Sequence, residues 1–365
     1  MREETRQEQY YLASQWQLIW RKLKRHRLAL LGGSVLVLFY FVAAFAEFFA
    51  PHDIFRRYND YINAPPQRIR FFDQGRFHLR PFVYALTQTR NEVTLRREYT
   101  VDKSRPLSFS LFVRRDAYRL WGAFRSDVHF FGVKEGEVFL LGTDKLGRDL
   151  LSRVIHGARI SLSIGLVGVA ISFILGCILG GISGYYGGTV DLVVQRIIEF
   201  LISIPTIPLW MALSAALPAN WPALRVYFAI TMILAVQGWA GLARVVRGKL
   251  LELREEDFVM AARIAGQNDG GIIVQHLLPS FMSYLIVNIT LAIPNMILGE
   301  TALSFLGLGL RPPVVSWGVM LKEAQDLNII ALYPWLLIPG LFVVVFVLAF
   351  NFLGDGLRDA ADPYK

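Results

Sequence analysis

The stretch of sequence that decides the fold is Ile160–Ile182, which reads ISLSIGLVGVAISFILGCILGGI and contains no charged residue. As a helix, this run reaches roughly 34 Å, enough to cross the hydrocarbon core of a bilayer, which is about 30 Å thick. Five further apolar runs of similar length are Leu28–Ala50, Ile197–Leu217, Val226–Val246, Phe281–Leu303 and Leu332–Leu353. The sequence therefore predicts an all-α polytopic membrane protein with six transmembrane helices.

Composition and charge agree with this prediction. Hydrophobic residues make up 54% of the chain, against about 45–50% in soluble domains. A basic cluster, Arg21–Arg27, directly precedes the first apolar run, and such clusters stay on the cytoplasmic side of a membrane. Segment 1–27 is thus predicted to be cytoplasmic, and six crossings place both termini there. The net charge of +9 is then explained by topology, so nucleic-acid binding is not expected.

The polar region between the first two helices, residues 51–140, is predicted to be a small β-rich extracytoplasmic insert. It follows transmembrane helix 1 (28–50) and precedes a core, residues 141–365, that contains predicted transmembrane helices 2–6. Within it, Leu107–Val113 alternates apolar and polar residues as a half-buried strand does. We expect the insert to pack against the outer ends of the helices or against a neighbouring membrane subunit. A decorative insertion with no function of its own is the alternative.

The sequence contains no recognisable catalytic or metal-binding motif. Gly248-Lys249 is followed by Leu250 and lacks the upstream glycine of a phosphate-binding loop. None of the six histidines lies in an apolar run. We therefore predict no catalytic residue, no metal site and no ATP hydrolysis by this chain.

Residues 247–279 form a predicted cytoplasmic loop between the fourth and fifth helices. Three acidic residues, Glu255–Asp257, favour a helix start, and the Asn268–Gly271 cluster marks a turn before a second helix. Ala261, Ala262 and Gly266 give this helix-turn-helix a low profile that permits close approach of a partner. An amphipathic helix resting on the membrane surface is the alternative interpretation.

Several motifs between residue 141 and the C-terminus carry a resemblance to a known family. The spacing Ala261-Ala262-x3-Gly266-x11-Leu278-Pro279, with His276 two residues before the leucine, resembles the loop of ABC importer permeases that docks on ATPase subunits. The segment before the second helix resembles the C-type permeases of dipeptide, oligopeptide and nickel importers; its family residues are Gly142, Thr143, Asp144, Gly147, Arg148, Asp149, Ser152 and Arg153. The chain departs from the general family pattern at Met260, where that pattern has glutamate, and at His276, where it has isoleucine.

The resemblance implies a type I ABC importer permease fold in the cytoplasmic (inner) membrane of a prokaryote. It implies as partners a second homologous permease, two ABC ATPase subunits and an extracytoplasmic substrate-binding protein, together with membrane lipid. By the same resemblance, this chain binds no cofactor, and the partner ATPases bind ATP and magnesium. Peptides, nickel, opines and oligosaccharides all remain open as substrates.

Three polar residues within the apolar runs, Glu199, Gln237 and Glu300, are candidates for lining a translocation pathway. Hydrogen bonding between helices, or solvation at helix ends, is the alternative explanation for each. Glycines four residues apart in the second helix, at Gly176, Gly180 and Gly184, predict close helix packing. Kinks are expected at the prolines within the runs, which are Pro205, Pro208, Pro294 and Pro339.

Two other function classes stay open at this stage. An ion-coupled secondary transporter or channel would have ionisable residues near the bilayer midplane and an internal repeat, and neither is visible here. A membrane-anchored receptor would bind its ligand through the insert and use the helices only as anchors.

Overall fold

The computed structural model describes residues 15–73, 76–92, 96–218 and 220–361. Part of the predicted cytoplasmic segment, residues 1–14, and the last four residues lie outside this described part. The helices are α1 (Gln15–Leu23), α2 (Arg27–Ala44), α3 (Ala46–Phe49), α4 (Leu150–Tyr186), α5 (Gly188–Ser203), α6 (Thr206–Ala215), α7 (Ala223–Leu253), α8 (Asp257–Ile264), α9 (Met282–Phe305), α10 (Trp317–Glu323), α11 (Leu327–Leu332) and α12 (Ile338–Ala361).

Five helical segments in the described residues are long and apolar enough to cross a membrane: α2, α4, α7, α9 and the segment Pro334–Ala361 that contains α12. They coincide with five of the six predicted apolar runs. Their shared core surrounds Trp317, which is fully buried and donates its indole N–H to the carbonyl oxygen of Val154 at 3.1 Å.

The third predicted run, Ile197–Leu217, does not form one continuous helix. Helices α5 and α6 meet at an angle of 89° across Ile204 and Pro205. Pro205 has no N–H to donate and restricts the residue before it to extended conformations, so the helix ends there. The pair is one broken span or a re-entrant loop. The described part of the chain therefore has five helices that could cross a membrane, or six if the bent pair counts as one span.

The other prolines have smaller effects. Pro208 lies in the first turn of α6, and Pro339 is the second residue of α12, where the backbone N–H is unpaired in any helix. Pro294 lies inside α9, whose helix continues across it. The structure confirms a sharp bend at Pro205, and a kink at Pro294 stays a prediction.

The glycines of α4 bring that helix against α7, as their spacing predicts. A Cβ atom on Gly180 would lie 2.4 Å from the carbonyl oxygen of Ala243, and one on Gly184 would lie 2.7 Å from that of Arg247. A Cβ on Gly176 would meet Leu242 at 2.9 Å. A larger side chain at these positions would push the two helices apart.

The insert is β-rich, as predicted. Its strands are β1 (Arg70–Asp73), β2 (Arg76–Arg90), β3 (Arg97–Leu120) and β4 (Phe124–Val133), which form an antiparallel meander in the order β1-β2-β3-β4. The predicted strand Leu107–Val113 lies within β3 and pairs with both β2 and β4. Buried Val83, Val133 and Val138 form its small core.

The insert is fastened to the helical core at both of its ends. At the β4 side, His129 contacts the carbonyl oxygen of Ala50 through Nδ1 at 2.6 Å. At the other side, the backbone N–H of Tyr58 donates to the carbonyl oxygen of Gly147 at 3.0 Å. These bonds fasten the insert to the end of α3 and to the segment that directly precedes α4.

Candidate functional site

The loop between α7 and α9 is a compact helix-turn-helix. Helix α8 ends at Ile264 and is followed after its cap by Gly266, whose φ of +79° suits only glycine or, less well, asparagine. The N–H of Gly266 donates to Arg263 at 3.0 Å, and the N–H of Gln267 donates to Ala262 at 3.1 Å. This paired arrangement is a Schellman motif, which reverses the chain in a fixed direction.

Helix α8 presents an apolar face that no residue of the described ranges covers. Ile264 is 86% exposed, and Phe258 and Met260 are also exposed. Ala261 lies on the exposed side and Ala262 is buried against the loop core. An exposed apolar surface of this kind, with small residues beside it that permit close approach, is typical of a protein–protein contact.

The second half of the loop carries the remaining predicted residues. His276 contacts Gln267 through Nε2, 2.6 Å from Oε1, and so closes the turn from within. Leu278 packs against the loop core, and Pro279 is exposed at the start of a short helical turn, Leu278–Ser280. His276 is therefore part of the loop scaffold.

Tyr185, at the end of α4, connects this loop to the long helix. Its hydroxyl donates to Oδ1 of Asp269 at 2.8 Å and accepts from Nε of Arg263 at 3.3 Å. The Arg263 guanidinium also lies over the tyrosine ring, 5.3 Å from its centroid. One buried side chain of α4 thus contacts both halves of the loop.

A second connection joins α5 to α7 at the same end of the molecule. Arg247 donates to both carboxylate oxygens of Asp191, each at 2.5 Å, and the Ser183 hydroxyl donates to the same carboxylate at 2.5 Å. Bidentate arginine–carboxylate pairs fix relative orientation as well as distance. The ends of α4, α5 and α7 are therefore tied together beneath the loop.

The motif before α4 forms a buried ion-pair cluster at the opposite end. Asp144 accepts from Nε of Arg148 at 2.7 Å and from Arg153. Glu323, on α10, accepts from Arg148 at 3.0 Å and from Arg153 at 2.7 Å. Two acids and two arginines balance in charge, which makes their burial tolerable.

The other motif residues shape the backbone around this cluster. Asp149 caps α4 by accepting from the N–H and the hydroxyl of Ser152 at 2.8 and 2.6 Å, and burial raises the pKa of Asp149 to about 6. Thr143 Oγ1 accepts from the N–H of Ala64 at 2.8 Å. Gly142 abuts the carbonyl oxygen of Ala64, with no room for a Cβ. The motif is thus a junction between insert and helices.

The three candidate pathway residues have different surroundings. Glu300 is fully buried and accepts from three serine hydroxyls, those of Ser161 at 3.2 Å and of Ser304 and Ser316 at 2.8 Å. Glu199 is exposed and pairs with Arg196 at 2.8 Å. These contacts lie within the chain, and a role in the pathway stays a prediction for both.

Gln237 has a contact that the sequence did not suggest. Its Nε2 donates to the carbonyl oxygens of Leu201 at 3.2 Å and Ile204 at 3.1 Å, which are left without helical partners by the break between α5 and α6. The side chain therefore stabilises the bend. Its role in a pathway also stays a prediction.

Sequence reasoning missed Glu323 and the part played by Tyr185. Glu323 lies 170 residues from Arg153, so no local pattern could pair them. A signal was nevertheless available, because buried charges next to a membrane-spanning helix require partners of opposite sign.

Comparison with known proteins decides the family. Residues 172–364 match the model of the binding-protein-dependent transport system inner membrane component, and residues 14–66 match that of the N-terminal TM domain of oligopeptide transport permease C. The chain belongs to this family of ABC importer permeases. The resemblance to the dipeptide and oligopeptide branch is confirmed, and the chain is a multi-pass protein of the bacterial inner membrane.

Curated relatives extend the match over most of the chain. The dipeptide transport system permease protein DppC of Bacillus subtilis is 32% identical over 345 residues, which cover 94% of this chain and 84% of that protein. The oligopeptide transport system permease protein OppC of Haemophilus influenzae is 42% identical over 223 residues, 61% of this chain and 69% of that protein. Among solved structures, the inward-facing methionine ABC transporter MetNI matches with a TM-score of 0.44 and 18% identity, covering 58% of this chain and 97% of that one.

Proposed function

We propose that this permease is one of two different membrane subunits that together form the translocation pathway of a peptide importer. A substrate-binding protein delivers the peptide on the insert side, and two ATPase subunits bind ATP and magnesium on the loop side. The chain is a peptide ABC importer permease, and the names of its relatives support dipeptides or oligopeptides as the cargo. Six crossings with both termini in the cytoplasm complete the proposed topology.

The observation that carries the coupling role is the uncovered apolar face of α8. Ile264 is 86% exposed on a helix that ends in a rigid Schellman turn at Gly266. Exposing an isoleucine to water is unfavourable by about 1.5–3 kcal/mol relative to burying it. A groove on an ATPase subunit would recover this free energy by covering the face.

Motion of that groove would reach the membrane through Tyr185 and Arg247. Tyr185 holds α8 to the end of α4, and the Arg247–Asp191 pair holds α7 to α5. Because α4 and α7 are packed through glycines, they would move together as one body. Displacement of α8 would thus rock the long helices.

The insert is proposed to seat or gate the substrate-binding protein. Its attachment to the segment before α4 through Tyr58 and Gly147, and to the end of α3 through His129, supports this role, because a docked protein would press on the outer ends of the helices. Deletion of residues 54–138 with a Gly/Ser linker should reduce binding-protein-dependent uptake. Tight peptide binding by the excised insert would instead indicate a built-in receptor.

The coupling role is tested by Ile264→Glu, with Ile264→Val as the matched control. The exposed position means that neither change alters packing within this chain. In the reconstituted complex, we expect Ile264→Glu to abolish association with the ATPase subunits while Ile264→Val preserves it. Normal assembly and peptide-stimulated ATP hydrolysis in Ile264→Glu would show that α8 is not the docking element.

A further inference from the structure

The turn between β3 and β4 lies against the end of the first membrane-spanning helix. Trp121, in this turn, donates its indole N–H to the carbonyl oxygen of Ala44 at 2.7 Å. Its ring packs on Phe45 with 5.2 Å between centroids. Ala44 is the last residue of α2, so the tip of the hairpin is fixed at the point where that helix ends.

The position of Ala44 sets the depth of the tip relative to the bilayer. Helix α2 begins at Arg27 and has 18 residues, a length of about 27 Å that nearly spans a hydrocarbon core of about 30 Å. Arg159 also donates to the Ala44 carbonyl at 3.0 Å and pairs with Glu47 at 2.6 Å. This ion pair is partly exposed and marks the polar boundary, so Trp121 lies where hydrocarbon meets headgroups.

The tip exposes large aromatic side chains at this level. Trp121 is 56% exposed, Phe124 is 64% exposed, and Phe112 on the neighbouring part of β3 is 62% exposed. Phe112 rests on Phe130 of β4, with 5.8 Å between ring centroids, so its free side faces outward. Tryptophan and other aromatic residues concentrate at membrane–water interfaces, where one part of the ring contacts acyl chains.

The charges near the tip also point to a lipid surface. Arg119 and Arg125 are exposed and stand directly opposite each other in the β3–β4 register. Like charges at directly opposite positions destabilise an antiparallel pair. Neither arginine forms an ion pair with any residue in the described ranges. Lipid phosphates would neutralise both.

We propose that the β3–β4 tip, Leu120–Phe124, together with Phe112, inserts into the headgroup layer of the leaflet on the insert side. Trp121 and Phe124 reach the acyl boundary, and Arg119 and Arg125 bind phosphates of phospholipids. The occupant is lipid because α2 fixes the depth of the tip, and the aromatic and arginine side chains match the two layers found at that depth. The insert is thereby held at a constant height above the membrane.

Spin-label accessibility tests this proposal. Cys177 is the chain's only cysteine and is buried, so a Cys177→Ala background allows a nitroxide to be attached at Ala123→Cys, in the exposed turn. Gln88→Cys, at an exposed position of the β2–β3 hairpin, is the control. The labelled chain is measured alone and with its partner subunits, in vesicles of phosphatidylethanolamine and phosphatidylglycerol.

The rate at which the nitroxide collides with oxygen, which concentrates in lipid, is compared with the rate at which it collides with a water-soluble nickel chelate. We expect the oxygen-to-nickel ratio at position 123 to exceed that at position 88 several-fold, with and without partners. Equal nickel access at the two positions would place the tip in water and overturn the proposal. Shielding of position 123 from both reagents only in the complex would overturn it in favour of a protein contact.

Discussion

The hydroxyl of Tyr185, at the end of the long helix α4, lies 3.3 Å from Nε of Arg263 on α8 and 2.8 Å from Oδ1 of Asp269. No other side chain in the described residues bonds to both halves of the loop in this way. The tyrosine therefore connects a membrane-spanning helix to the proposed ATPase-docking surface through hydrogen bonds.

Tyr185→Phe should weaken this connection without breaking it. The substitution removes both hydrogen bonds, each contributing about 0.5–1.5 kcal/mol, but keeps the ring beneath the Arg263 guanidinium. We expect peptide-stimulated ATP hydrolysis to fall by roughly tenfold while assembly persists. Tyr185→Ala, which also removes the ring, should uncouple the complex fully. Equal activity in Tyr185→Phe and wild type would show that the hydroxyl does not transmit motion.

Asp144→Ala should strongly destabilise the junction of insert and helices. Among the described residues, it leaves Glu323 as the one counter-charge paired with buried Arg148 and Arg153. Removing one partner of a buried ion pair costs about 3–5 kcal/mol. Thermal unfolding of the purified chain measures the change.

The control for Asp144 is Glu252→Gln, because Glu252 forms an exposed pair with Lys249 at 2.9 Å. Exposed pairs contribute about 0–1 kcal/mol, so its melting temperature should scarcely change. Similar melting temperatures for the two variants would mean that the buried cluster does not hold the junction.

Gly147→Ala should release the Tyr58 segment from α4. Gly147 has a φ of +73°, and a Cβ atom there would lie 2.2 Å from the carbonyl oxygen of Tyr58. Gly122→Ala is a matched control, since Gly122 has a φ of +75° with no atom within 4 Å of its Cβ position. Both variants bear the left-handed strain of about 1–2 kcal/mol. Only Gly147→Ala should expose the backbone near Tyr58 to proteases.

His52 should make attachment of the insert sensitive to acid. Burial lowers the pKa of His52 to about 4, and the neutral ring fits its site, with Nε2–H donating to Val138 at 2.9 Å and Nδ1 accepting from Tyr58 at 3.0 Å. Arg115 lowers this pKa further, and Glu137 opposes it.

The direction of the pH effect follows from that lowered pKa. The unfolded ring titrates near 6.5, so the stabilisation is complete above that pH and is lost as the pH falls towards 4, by up to about 3 kcal/mol. Hydrogen exchange of residues 51–67 between pH 7 and pH 4.5 measures the loss. His52→Gln should flatten this dependence, and an unchanged profile in that variant would assign the acid sensitivity to another group.

Much of this architecture could be predicted because it depends on local sequence patterns. Apolar runs locate the long helices, glycine spacing predicts the α4–α7 contact, and the Asn268–Gly271 turn predicts the helix-turn-helix. Each of these depends on residues close together in the chain. The bend at Pro205 was expected, but its 89° angle was not, since it depends on Gln237 of another helix.

The parts that could not be predicted depend on distant partners. Nothing near Arg153 in sequence indicates Glu323, and the attachment of Trp121 to Ala44 joins residues 77 positions apart. Glu300 illustrates a related limit. An ionisable residue in an apolar run suggests a translocation pathway. The sequence does not show that Glu300 accepts hydrogen bonds from Ser161 and Ser316, which lie on other segments.

The most direct test of the central claim is peptide uptake into proteoliposomes that contain this permease, its partner permease and the ATPase subunits. With substrate-binding protein outside and ATP available to the ATPases, we expect uptake against a gradient, and we expect Gly266→Leu to abolish it while leaving membrane insertion intact. Gly266→Asn, which tolerates the positive φ, should retain more activity. Uptake by this chain without ATPase subunits, driven by an ion gradient, would contradict the account.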